Sequence, residues 1–220
     1  MIYEERFTIA EMTRARDYLN FCRETMCPAV ESAGGQVLVL LTGLIGDRGN
    51  AFLQITGFSD LASWQAAQEV LTAGREELVE SEEVRLLRPV ASRPKTVIPP
   101  EDRRAVYSYR RLFISPADLA KFVEYSEEGV WPLYEAADCR ILGLWTPLAA
   151  TNPLELVLMT GYHGPGHWEE TRFYRGKPEG LDEGLWERGR TLLRQRNQLS
   201  IRGTWVRLWR SHDIQKGVSN

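Results

Sequence analysis

Two stretches of this 220-residue chain carry nearly the same pattern. Pro28 pairs with Pro132, Gly57 with Gly161 and Trp64 with Trp168, and the two members of each pair lie 104 residues apart. Tyr3 and Tyr107, Arg6 and Arg110, Glu31 and Glu135, Leu38 and Leu142, and Thr42 and Thr146 share that spacing. A constant, ungapped offset over such a span means one supersecondary unit duplicated and fused. The architecture must therefore be one that a unit of about a hundred residues builds twice.

Each unit reads as β-α-β-β-α-β. Ile2 to Ile9 is a strand, and Ala15, Tyr18, Leu19, Cys22, Met26 and Val30 form an apolar stripe at helical steps, within a helix from Glu11 to about Ser32. Gly34-Gly35 ends it. Gln36 to Leu44 is an apolar run that reads as a buried strand, and Gly46 to Asn50 is a turn leading to a third strand, Ala51 to Phe58. Ser59 or Asp60 caps a second helix from about Leu61 into the Glu76–Glu80 region, and Val84 to Val90 is the fourth strand. In the second unit the strands fall at Val106 to Phe113, Arg140 to Thr146, Leu154 to Tyr162 and Thr204 to Arg210, with Pro116 and Trp168 opening the helices. Val84-Arg85-Leu86-Leu87-Arg88 matches Val206-Arg207-Leu208-Trp209-Arg210 at a spacing of 122, so the second unit holds 18 extra residues. That insertion includes the Gly176–Gly184 loop, a candidate lid, and a helix from about Leu185 to Leu199.

The implied domains are residues 1–90 and 105–213, joined by a linker at 91–104 that Pro94, Pro99 and Pro100 make stiff. A β-α-β-β-α-β unit is ferredoxin-like, with helices on one sheet face only. Two such sheets packed face to face cover what each leaves bare. The expected fold class is α+β: two fused ferredoxin-like modules in a pseudo-twofold α+β barrel.

Tyr3-Glu4-Glu5-Arg6 and Tyr107-Ser108-Tyr109-Arg110 open the units, each is followed by a long helix ending near a proline, and Phe58 and Tyr162 close the third strands. With Ser115-Pro116 and Leu142-Gly143-Leu144-Trp145, this resembles the NIPSNAP family of dimeric α+β-barrel proteins, in tandem. The first unit departs from the pattern, with Ala10-Glu11-Met12 where the family has a Pro-Gly start. The resemblance implies the fold and a small-molecule cavity. The wider superfamily holds cofactor-free monooxygenases, cyclases and haem enzymes of the chlorite-dismutase kind, so it fixes no reaction.

Arg6 and Arg110 sit on otherwise apolar strands. Each either anchors a carboxylate or enolate oxygen or pairs with a neighbouring acid such as Glu4 or Glu31. His163 and His167 flank Gly-Pro-Gly, which makes a turn, so they read as flanking a helix start, with general base, metal-pair and haem-ligand roles as alternatives for them. The second unit is richer in large aromatics, including Trp131, Tyr134, Trp145, Tyr162 and Trp209, which form either a bigger core or a pocket wall. The candidate catalytic residues are Arg110 and His163, and the candidate ligand-binding residues are Tyr107, Trp131, Trp145 and Trp209; no cofactor or metal is expected.

A net charge of −3 argues against a nucleic-acid partner. Cys22, Cys27 and Cys139 offer no C-x-x-C pair or disulfide framework, and a reducing cytoplasm is the simplest compartment. No signal peptide and no membrane span is read. The expected partner is a small-molecule ligand, with homo-oligomers compatible. The function expected is binding of an aromatic or polyketide-like molecule, as a cofactor-free monooxygenase- or cyclase-like enzyme. The alternatives are a non-catalytic assembly protein and a haem protein.

Overall fold

The computed structural model describes residues 1–96, 98–202 and 205–214, without the side chain of Val70. The first repeat runs through β1 (Ile2–Ala10), α1 (Ala15–Phe21), α2 (Cys27–Ser32), β2 (Gln36–Ile45), β3 (Ala51–Phe58), α3 (Leu61–Ala66), α4 (Gln68–Thr72) and β4 (Val79–Pro89). The second runs through β5 (Val106–Ile114), α5 (Leu119–Tyr125), α6 (Trp131–Ala136), β6 (Arg140–Pro147), β7 (Leu154–Tyr162), α7 (Pro165–Glu170), α8 (Glu183–Gln198) and β8 (Val206–His212). The strands close into a barrel in the order β1-β3-β2-β8-β5-β7-β6-β4. Within that ring each repeat keeps one order, its fourth strand beside its first, then its third and second. This is the α+β architecture of two fused ferredoxin-like modules.

The matched residues now have physical reasons. Tyr3 lies opposite Gly57 across β1 and β3, and Tyr107 opposite Gly161 across β5 and β7. A Cβ at Gly57 would stand 3.0 Å from the Tyr3 ring, and one at Gly161 2.9 Å from the Tyr107 ring. Each tyrosine therefore needs a bare glycine beneath it. The matched prolines explain a feature the sequence pattern did not show: the long helix of each repeat widens into a π turn, at Cys22–Met26 and at Ser126–Val130. Proline lacks an amide donor and its ring crowds the carbonyl four residues back. The wider turn just before Pro28 and Pro132 relieves that crowding, with Cys27 N–H reaching Cys22 O and Trp131 N–H reaching Ser126 O.

The chain divides into two compact units, Met1–Arg88 with the segment from Trp209 onward, and Pro89–Leu208. The first has a core of Tyr18, Cys22, Met26, Val30, Phe52 and Phe58 between sheet and helices. The second packs Leu112, Phe122, Val130, Trp131, Leu144 and Leu156 in the same place. All three cysteines are free and buried, and burial pushes each thiol up to about 12, as expected of small core residues.

Two expectations need adjusting. The second helix of the first repeat ends at Thr72 rather than near Glu76–Glu80, and the fourth strand begins at Val79 rather than Val84, because Ser81 to Glu83 pair with β1. The stiff linker is also pinned along its length. Val90 N–H donates to Leu144 O, Ser92 N–H to Glu127, and Asp102 binds both Lys95 and Arg140. The expected start of the last strand at Thr204 lies outside the described residues.

Candidate functional site

On β5 the residues Ser108, Arg110 and Leu112 share the face that looks toward the helices, and Arg110 lies opposite Leu158 of β7. Here the second repeat is hollow. A cavity of about 690 Å³ is walled by Arg110 and Leu112, by Leu158, Thr160 and Tyr162 of β7, and by Trp131 and Tyr134 of α6. The inserted segment supplies the remaining wall, with Arg172, Phe173 and Tyr174 after α7 and Arg190, Leu193, Arg196 and Asn197 on α8. Tyr174 is 76% exposed and marks the rim.

α8 is held close by two glycines and an ion pair. A Cβ on Gly189 would stand 2.6 Å from Leu133 Cβ, and one on Gly129 would stand 2.5 Å from Leu192 Cδ1. Arg188 adds a 2.6 Å bond to Glu128. Asp182 caps the helix by accepting from Leu185 N–H. The expected helix of the insertion is thus present, and it is a wall of the cavity. The cavity's inserted loop residues are Arg172 to Tyr174, and none comes from Gly176–Gly184.

No Asp, Glu, His or Cys lines the cavity. Arg110 has no acidic partner among the described residues. Arg196 is 9% exposed; its guanidinium donates to Ser126 Oγ at 3.3 Å and lies 5.3 Å from the Phe122 ring, again with no carboxylate. Burial lowers its pKa to about 10, with Arg110 adding a like charge, so it stays protonated near neutrality. The indole N–H of Trp131 is buried without an acceptor. Burial also holds the Tyr162 phenol up at about 12, so it remains neutral.

The first repeat fills the matching place with a polar network. Arg6 is 2% exposed, bonds Glu4 Oε1 at 2.7 Å and also pairs with Glu82. Arg75 grips both oxygens of Glu82 at 2.5 and 2.7 Å, and Thr8 donates to it at 2.9 Å. Trp64 and Gln68 donate to the other oxygen of Glu4 at 2.7 and 3.1 Å. The ion-pair reading of Arg6 with Glu4 therefore describes it well. At the 104 spacing, Glu4, Thr8, Gln54 and Gln68 become Ser108, Leu112, Leu158 and Arg172. The acid is gone, and three of the polar neighbours have become apolar or basic.

The other expected site residues fall elsewhere. Tyr107 is three residues from Arg110 on one strand and so points to the opposite sheet face, where its hydroxyl accepts from Arg104 N–H. Trp145 folds over Gly143, where a Cβ would meet its ring at 2.2 Å. A register shift between Ile141 and Gly143 puts Trp145 on the other face from Ile141, which does line the cavity. Trp209 packs edge-on against Phe7 at 5.9 Å. His163 is 58% exposed and bonds Asp138 at 2.5 Å; His167 accepts from His163 N–H at the start of α7. The bond from His163, opposed by slight burial and aided by Arg104 and Arg140, holds the Asp138 carboxyl below its usual range. Sequence reasoning missed Arg196 and Arg172.

No protein-family model matches the chain, and no curated protein matches it. Solved structures do. A "putative monooxygenase" of Lactobacillus acidophilus NCFM covers 96% of this chain with 93% of its own, at 11% identity and a TM-score of 0.64. An "anthrone oxidase-like protein" covers 96% with 91% of its own, at 10% identity and a TM-score of 0.52. A NIPSNAP domain protein of Burkholderia xenovorans matches 45% of this chain with 99% of its own, at 15% identity and a TM-score of 0.33. At such identities the likeness speaks to fold, and the chain has the fold of the dimeric α+β barrels, written twice on one polypeptide.

Proposed function

We propose that the second repeat binds an aromatic or polyketide-like small molecule, with Arg110 holding a carboxylate, phenolate or enolate oxygen. The observation that carries this is a cavity of about 690 Å³ walled by aromatic side chains, with an unpaired guanidinium at its base. That volume lies within the range of small-molecule sites, and the few polar groups set in an apolar wall are what orient a ligand. Trp131 joins Arg110 as a wall residue.

The cavity stabilises negative charge but supplies no carboxylate or imidazole to take a proton. It therefore suits a ligand that arrives ionised, or a reaction through an enolate whose charge the arginine shares. Cofactor-free oxygenation and polyketide cyclisation both pass through such anions. Fold likeness to proteins described as monooxygenases agrees with this by analogy only. A haem reading finds no imidazole or thiolate among the cavity's residues. An assembly role does not account for a hollow of this size.

Mass spectrometry of small molecules released from natively purified protein tests the proposal. An aromatic or polyketide-like compound should accompany the wild type and be lost from Arg110→Ala. If nothing accompanies the wild type and no aromatic acid binds it, the reading fails.

A further inference from the structure

We infer that the ligand of this cavity is a dianion: a flat organic molecule carrying two negative charges, which Arg110 and Arg196 neutralise together. This deepens the proposed small-molecule reading and rests on it.

Five arginines line the cavity, and no acid does. Four of them have an aromatic ring close by, Arg196 among them at 5.3 Å from Phe122. Arg172 lies 5.7 Å from the Trp168 ring and 5.9 Å from that of Tyr174, Arg190 lies 5.3 Å from Trp186, and Arg202 lies 5.1 Å from Phe113. Ring faces share the charge of these side chains. Arg110 and Arg196 come from opposite walls. One stands on the sheet and one on the inserted helix, they face a common hollow, and neither has a carboxylate.

A guanidinium as buried as Arg196, with one hydroxyl and no carboxylate beside it, loses hydration that the protein does not replace. Repulsion from Arg110 adds to that cost. Elsewhere this chain compensates each buried arginine with an acid: Arg6 with Glu4 and Glu82, Arg75 with Glu82, Arg104 with Asp138. The second repeat withholds the acid where its cavity opens. A single negative charge leaves one guanidinium uncompensated. Two charges balance both, and the planar fork of arginine suits a carboxylate or a phosphate edge equally.

The test is calorimetric titration at pH 8 with four probes of similar size: isophthalate and phenyl phosphate as dianions, benzoate as a monoanion and benzamide as a neutral aromatic. The wild type should bind at least one dianion about 10-fold or more tightly than benzoate. Which of the two binds separates a dicarboxylate ligand from a phosphate ester. Arg196→Met, which keeps the length and removes the charge, should cut the preference for the dianion over benzoate to below about 3-fold, while Arg196→Lys keeps part of it. Because the preference is a ratio measured on one protein, it does not depend on how much of a variant folds. Equal binding of dianion, benzoate and benzamide would overturn the dianion inference and leave the pocket reading standing. Binding of none of the four would overturn both. An unchanged ratio in Arg196→Met would also overturn the inference.

Discussion

Arg6 and Arg110 occupy the same position on the first strand of their repeats, yet their surroundings are opposite. Arg6 is enclosed by Glu4, Glu82 and Gln68, inside a network that extends to Arg75, Thr8, Trp64 and Tyr18. Arg110 faces a cavity without a carboxylate. The cationic group came with the duplicated unit. What differs is what surrounds it: one copy is neutralised by the protein's own acids, and the other has none beside it. On the proposed reading, an arginine shared by the two repeats serves folding in one and recognition in the other.

The largest expected effect comes from breaking the filled side. Arg6→Met leaves Glu4 and Glu82 buried with fewer counter-charges, and loss of one partner from such a pair costs roughly 3–5 kcal/mol. Chemical denaturation should show this loss, while Arg110→Met, which removes an uncompensated charge, leaves stability unchanged or raises it. Equal losses in the two variants would dissolve the distinction. Next in size is the inserted helix that only the second repeat carries. Gly189→Leu forces α8 away from Leu133, with an overpacking cost of about 1–3 kcal/mol. Ligand affinity should fall with it, since α8 brings Arg196. Unaltered affinity would mean that α8 is not a wall of the working site.

A smaller effect separates the repeats by pH. Burial opposes ionisation of Glu82, but its bonds to Arg75 and the charge of Arg6 outweigh this and hold its pKa below the usual 4.5. A carboxyl whose folded pKa is depressed stabilises the protein above its unfolded value, and the contribution is lost as pH falls through the folded value. Stability should therefore drop as pH falls from about 4.5 downward, and the drop should be shallower in Glu82→Gln. Arg110→Met should keep the wild-type slope, since no carboxylate answers it. A slope flattened equally in Arg110→Met would contradict the comparison.

The fold was legible because periodicity and the constant spacing report on backbone and core. Pro28 with Pro132 and Gly57 with Gly161 match for reasons of local geometry that do not depend on ligands. The candidate cavity was legible in part. Arg110 and Trp131, which line it, could be named because an arginine on an apolar strand and a tryptophan in place of Cys27 are departures that a sequence shows. Tyr107 illustrates the limit. Strand parity alone sends it to the other face from Arg110. For Trp145 parity misleads, because the register shift before Gly143 exchanges the faces and leaves no mark in composition. Arg196 escaped notice because its significance is the carboxylate it lacks, and a missing partner becomes visible only once α8 is packed. Glu82 escaped for the converse reason: an acidic run reads as solvated until its partner strand is known.

The central claim is that each chain has one working anion site, in the second repeat, because the first has filled its own. Native mass spectrometry with isophthalate or phenyl phosphate counts the sites directly. The account predicts one dianion per wild-type chain, one in Arg6→Met and none in Arg110→Met. Two per wild-type chain, or a count in Arg110→Met equal to that of the wild type, would contradict it.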